Sequence, residues 1–200
     1  ARGGRGLEVI FVDDSDDGTA EEALRVGASC GFDVRVIHRP VGQRDGGLSG
    51  AVIRGLRVAS APWVCVMDAD LQHPPEVVGE LVARAGVGDV DLVAASRFHP
   101  DGVAPEGLSR ARAFVSKALI GVARLMLPGR VREVTDPLTG FFLVRLDAVD
   151  LDVLEPRGFK ILLEIIGRTP GLRVTEIGFA FGRRNAGESK ASAGQVALYL

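Results

Sequence analysis

Apolar and polar positions along the chain fall into alternating short and long periods. Leu7–Val12 is a short apolar run closed by the acidic, turn-rich "DDSDDGT". Thr19 is placed to cap a helix starting at Ala20. "FDVRVIH" alternates as a strand, and a Gly-rich loop follows it. Leu48, Val52, Leu56 and Ala59 then recur at helical spacing. Trp63–Met67 is a continuous apolar strand that runs into "DADLQHPPE", where Pro75 opens a helix. "VDLVAAS" is another apolar strand. Strands and helices in this alternation predict an α/β domain with a mostly parallel sheet and helices on both faces.

The rhythm changes after Arg97. A polar loop (97–109) leads into an amphipathic helix, Arg110–Leu127. "DPLTGFFLVR", a helix over 157–168, a strand over 172–181 and the loop "GRRNAGESK" follow. There is no internal repeat, low-complexity tract or clear linker. The 200 residues therefore read as one domain with a decorated second half. The chain opens on "ARGGRG" without Met and stops inside a helical pattern, so the expectation is a domain truncated at both ends.

Composition narrows the function classes. Apolar content of 46% and charged content of 25% fit a globular protein. Twenty-four basic residues against 26 acidic ones give a net charge of −2, which argues against a nucleic-acid partner. Cys30 and Cys65 have no metal-ligand spacing, and Cys65 reads as a buried free thiol in a reducing compartment. The apolar stretch Phe114 to Leu127 is interrupted by Lys117 and Arg124, well short of the roughly 20 residues of a membrane span.

The chemistry concentrates where strands end. In open α/β sheets, ligands bind beyond the carboxyl ends of the strands. "VDD" and "MDAD" both put carboxylates there. Residues i and i+2 of an extended segment point the same way, so Asp68 and Asp70 converge. Left alone they repel; a hard divalent cation, Mg²⁺ or Mn²⁺, removes the repulsion and is held by carboxylates together with substrate phosphates. Gln72 continues the alternation with a carbonyl oxygen. A solvated helix-capping turn is the competing account of "DAD". Arg97, Arg112, Arg183, Arg184 and Lys190 carry the complementary charge at loop and strand ends, although each alone is an ordinary surface residue. Other sites fit less well. Leu48 stands where a P-loop requires Lys, no G-x-G-x-x-G fits "GQRDGGLSG", and His38, His73 and His99 have no zinc spacing. His73 reads as a turn residue.

"VDDSDDGT", "GLSGAVIRGL", "VMDADLQHPPEVV", "ASRF", "RAFVSKALIGVARLMLP", "DPLTGFFLVR", "GFKILLEI" and "FGRRNAGESK" occur in the order found in polyprenyl-phosphate mannose synthases. The chain from about Val9 to Lys190 thus resembles these dolichyl-phosphate mannose synthase-like, inverting family 2 glycosyltransferases. The resemblance implies a glycosyltransferase A-type fold, a GDP-mannose donor, a polyprenyl-phosphate acceptor, and an enzyme working at the cytoplasmic face of a membrane. It implies that Asp68, Asp70 and Gln72 hold the metal, and that Asp14 with Gly47–Ser49 meets the nucleoside. Arg97, Arg112, Arg184 and Lys190 match positions that engage donor and acceptor phosphates. The acidic turn is one residue shorter than the family's usual form. A UDP-sugar donor, or a sugar-nucleotide or phospholipid-binding domain without turnover, stays open at this point.

Overall fold

The computed structural model describes residues 7–31, 33–100, 121, 134–156, 160–180 and 182. The strand β1 (Glu8–Asp13) pairs in parallel with β2 (Asp33–His38) from Glu8↔Asp33 to Asp13↔His38. Between them runs α1 (Thr19–Cys30). Thr19 is already the first helical residue, and the N-cap is Gly18, at φ 82°, with no side-chain capping bond. Asp17 Oδ1 accepts from the Thr19 N–H (3.2 Å) and Oγ1 (2.6 Å), closing an Asx turn just before the helix.

The second sheet has the order β3-β5-β4-β6. β3 is Trp63–Val66, β4 Leu92–Ser96, β5 Phe142–Arg145 and β6 Val174–Gly178. β4 and β6 are parallel, but β5 lies antiparallel to both β3 and β4. The expectation of a mostly parallel sheet is corrected here. Strand–helix–strand alternation signals parallel crossovers, whereas the chain between β4 and β5 returns to the edge it left. The α/β class stands.

Helices cover both faces of this sheet. On one side Ile53 and Leu56 of α2 (Gly47–Val58) pack with Ile161, Leu162, Ile165 and Ile166 of α4 (Ile161–Arg168) over Leu92, Ala94, Phe142 and Val144. On the other, Val77, Leu81 and Ala85 of α3 (Glu76–Ala85) cover Val93, Ala95 and Leu143. Alternate residues of β4 thus serve opposite cores. All five are buried, which explains why this strand reads as an unbroken apolar run. The expected helix over 110–127 lies outside the described residues, except for Gly121, which is helical.

Register places the functional segments together. Val66 pairs with Phe142, Ala94 with Phe142, and Ser96 with Gly178. The turn after β3, Arg97 after β4, the approach to β5 and the exit of β6 therefore share one edge of the sheet.

Candidate active site

The turn after β3 is built from its own peptide groups and from one buried ring. Asp70 Oδ1 accepts the Gln72 N–H at 3.1 Å, closing an Asx turn. Leu71 is forced to φ 63°, and its side chain is exposed. His73 is only 3% exposed; its Nδ1 accepts the Asp68 N–H at 2.9 Å. Its ring stacks on Phe141 (centroids 4.8 Å, planes 20° apart) and meets Phe179 edge-on at 5.9 Å. Burial pushes its pKa down to about 4; the Asp70 charge opposes this and the Arg97 charge adds to it. The imidazole is therefore neutral at physiological pH, with the proton on Nε2. The reading of His73 as a turn residue missed this, because the aromatic partners, Phe141 just before β5 and Phe179 just after β6, are distant in sequence.

Gly140 and Gly182 bring two further segments to the turn. A Cβ at Gly140 would lie 3.5 and 3.6 Å from the two Asp68 carboxylate oxygens, so only a hydrogen stands beside them. The Gly182 N–H donates to Gln72 O (2.9 Å), and Gln72 Nε2 donates to Gly182 O (3.3 Å). A Cβ at Gly182 would lie 3.0 Å from Leu71 O, so any larger residue would push the two backbones apart by a few tenths of an ångström. Gln72 thus ties the acidic turn to the residue that immediately precedes Arg183 and Arg184. Its amide N–H is committed to this tie, leaving Oε1 as its donor oxygen.

Arg97 is held from below. Its Nε (2.7 Å) and Nη2 (2.9 Å) bind the two oxygens of Asp136, which is fully buried. Glu176 on β6 accepts from the backbone N–H groups of Thr135 and Asp136 and from Thr135 Oγ1. Thr135 Oγ1 also meets Ser96 Oγ at 2.5 Å. This network fixes the approach to β5 against the end of β4. Asp136 and Glu176 were not singled out from sequence; their partners are 39 to 41 residues away.

The β1–β2 half contributes a second constellation. Asp14 accepts from Arg39 Nε (2.7 Å) and Nη2 (2.6 Å), and Nη2 also donates to Gly47 O (2.8 Å). Arg39, 7% exposed, therefore clamps Asp14 to the start of α2. Asp13 faces Ser15 and His38 instead. Burial disfavours its ionisation, but the Ser15 hydroxyl and N–H together with His38 outweigh this and hold its carboxyl below the usual range. Gly46, at φ 72°, precedes α2, and a Cβ there would strike Pro156 at 2.5 Å. Ser49 is 1% exposed and its Oγ has no hydrogen-bond partner among the described residues, an unmet demand for one.

Of the residues expected at the site, Asp68, Asp70, Gln72 and Arg97 gather at one sheet edge, and Asp14 joins Gly47 through Arg39. Arg112, Arg184 and Lys190 lie outside the described residues. Among the described residues no three His, Cys, Asp or Glu side chains form a closed metal cage. Two carboxylates and a carbonyl fit Mg²⁺ or Mn²⁺ that completes its shell with substrate oxygens, and Gly140 leaves the space beside Asp68 open. Cys65 is a free thiol whose burial raises its pKa to about 12, so it stays protonated.

One α/β domain thus carries a D-x-D turn at the end of β3, a buried hydroxyl without a partner among the described residues in the glycine-led helix α2, and a mixed four-stranded sheet. Residues 2–149 match the model of glycosyl transferase family 2, and the chain belongs to that family. Within it, the chain is 40% identical over 198 residues to a dolichol-phosphate mannosyltransferase of Pyrococcus furiosus, covering 98% of this chain and 54% of that protein. It is 37% identical to the Saccharomyces cerevisiae dolichol-phosphate mannosyltransferase, over 96% of this chain and 72% of the other. An undecaprenyl-phosphate mannosyltransferase of Micrococcus luteus is 34% identical, over 94% and 77%. The chain thus spans about half the length of the archaeal relative. Glucosyl-3-phosphoglycerate synthase of Mycobacterium tuberculosis, solved with Mn²⁺, UDP and glucosyl-3-phosphoglycerate, superposes with a TM-score of 0.63 at 20% identity, covering 96% of this chain and 64% of that one. This confirms the expected glycosyltransferase A-type fold.

Proposed function

We propose that this chain carries the catalytic domain of a polyprenyl-phosphate mannosyltransferase, moving mannose from GDP-mannose to a polyprenyl monophosphate with inversion. The observation that carries the reading is the tie between Gln72 and Gly182, which joins the acidic turn to the chain leading into Arg184 and Lys190. The proposal puts a second-phosphate site, supplied by the sequence beyond Gly182, next to the site for a metal-bound diphosphate; the chain is similar to enzymes named dolichol-phosphate mannosyltransferase.

Asp68 and Asp70, with Gln72 Oε1, hold the divalent cation. When bound, that cation supplies positive charge to the leaving diphosphate. Ser49 and the Asp14–Arg39–Gly47 cluster receive the nucleoside end. Arg97, anchored by Asp136, adds its charge next to the turn and keeps the approach to β5 in place. Arg112, Arg184 and Lys190 take the acceptor phosphate, hold it in line with the anomeric carbon and offset its repulsion from the donor. A phosphate monoester has its second pKa near about 6, so the acceptor is already a dianion and no side chain has to deprotonate it. Direct displacement inverts the anomeric centre. A lipid acceptor places the domain at a membrane surface, and the amphipathic 110–127 segment is proposed to rest there, on the cytoplasmic side. Among the described residues no helix is long and apolar enough to cross a membrane.

The test uses the full-length protein with a short-chain polyprenyl phosphate, Mg²⁺, and labelled GDP-mannose, UDP-glucose or UDP-N-acetylglucosamine in separate reactions. Label entering lipid from GDP-mannose alone supports the proposal. Transfer from a UDP-sugar keeps the site and changes the donor. Donor binding without transfer from any sugar overturns the enzymatic reading in favour of a binding module.

A further inference from the structure

His73 touches the acidic turn and two of the segments converging on it. Its Nδ1 takes the Asp68 N–H at 2.9 Å, and its Nε2 stands 4.0 Å from Asp68 Oδ2. One ring face lies on Phe141, directly after Gly140, whose Cβ would fall 3.7 Å from His73 Cε1. Phe179, from the exit of β6, meets both rings edge-on, at 5.9 Å from His73 and 5.6 Å from Phe141. The three rings form a wedge that ends in a single hydrogen-bond acceptor, aimed at the peptide preceding the Asp68 side chain.

We infer that His73 is a positioning residue for the metal-binding carboxylates: its stacked ring fixes the plane of the 67–68 peptide and so the direction in which Asp68 projects. The inference rests on the metal-site reading of Asp68 and Asp70. Only histidine combines the two properties used. Phenylalanine stacks but cannot accept the N–H, and asparagine accepts but cannot stack. His73 is itself 3% exposed, so the acceptor it offers the Asp68 N–H is shielded from solvent. Groups that orient metal ligands from behind typically change metal affinity about ten- to a hundred-fold when removed. A buried histidine that merely fills the core changes stability alone.

The experiment measures Mn²⁺ affinity of the full-length protein by electron paramagnetic resonance titration, with and without GDP, alongside Tm. His73→Phe keeps the ring stack and removes the acceptor; it is expected to weaken Mn²⁺ binding about ten-fold or more while the protein stays folded. His73→Asn restores an acceptor near the Nδ1 position; it is expected to lower Tm yet hold Mn²⁺ affinity close to wild type. Wild-type affinity in His73→Phe overturns the inference. If that variant does not fold, His73→Asn decides: retained affinity supports positioning, and lost affinity in a folded protein overturns it. Asp70→Ala separates the two levels. Its loss of Mn²⁺ binding beside an unaffected His73→Phe sinks only the positioning role. Unchanged binding in Asp70→Ala, or no Mn²⁺ binding by the wild type, removes the metal site and this inference with it.

Discussion

Replacing Asp136 by alanine tests whether the approach to β5 is held as the structure indicates. Asp136 is fully buried, and its two oxygens bind Nε and Nη2 of Arg97 at 2.7 and 2.9 Å. Removing one partner of a buried ion pair costs about 3–5 kcal/mol, most of it from stranding the other charge. The Arg97 side chain is 20% exposed and can turn partly towards water, which puts the expected loss near the lower end, about 3 kcal/mol. In a domain of this size that corresponds to a fall in Tm of roughly 6–12 °C. Urea unfolding followed by Trp63 fluorescence, with Tm from circular dichroism, measures both. The double variant Arg97→Met/Asp136→Leu should recover most of the loss, because a packed apolar pair leaves no stranded charge. A loss below about 1 kcal/mol in Asp136→Ala, or a double variant no better than the single, would refute the claim that this pair anchors the site.

Asp70→Ala should abolish sugar transfer at every accessible metal concentration, and EDTA should stop the wild type with Mg²⁺ or Mn²⁺ restoring it; substantial residual turnover by radiolabel assay counts against the metal assignment. Gly182→Ala drives a Cβ to within 3.0 Å of Leu71 O, a backbone atom that cannot swing away. Displacing the chain towards Arg184 should raise KM for the acceptor about ten-fold while donor affinity changes less. Equal losses for both substrates would mean that the tie serves the whole site. Asp91 is 5% exposed, and hydrogen bonds and charge from Arg173, with the charge of Arg145, hold its folded pKa below the unfolded value. Its contribution is fully present above the unfolded pKa of about 3.9 and is lost as pH falls through the folded one. The Tm gap between wild type and Asp91→Asn should therefore be constant at neutral pH and close under acid.

Local signals carried the elements. Apolar period placed β1, β2, β3, β4 and α2 within a residue or two, since each buries its own apolar set whatever its neighbours are. The aspartates of "DAD" could be singled out because an i, i+2 pair after an apolar strand is a local fact. The same reading named Gln72 but not its use, since the Gly182 partner is 110 residues away. His73 looked like a turn residue because its neighbours in sequence are turn residues; only the fold sets Phe141 and Phe179 against it. Arg97 was legible as a charge at a strand end, while its carboxylate lay hidden in "TDPLTG", a stretch with no periodic signal. Strand direction was the other thing withheld. Apolar period marks a strand without saying which way it runs, and "DPLTGFFLVR" was not assigned as a strand, so neither β5 nor its antiparallel insertion between β3 and β4 was read from sequence. That insertion brings Asp136, Gly140 and Phe141 to the acidic turn. Which residues could carry the chemistry was thus a local matter, while what holds them was not, because hydrogen bonds and ring contacts join residues that no local pattern relates.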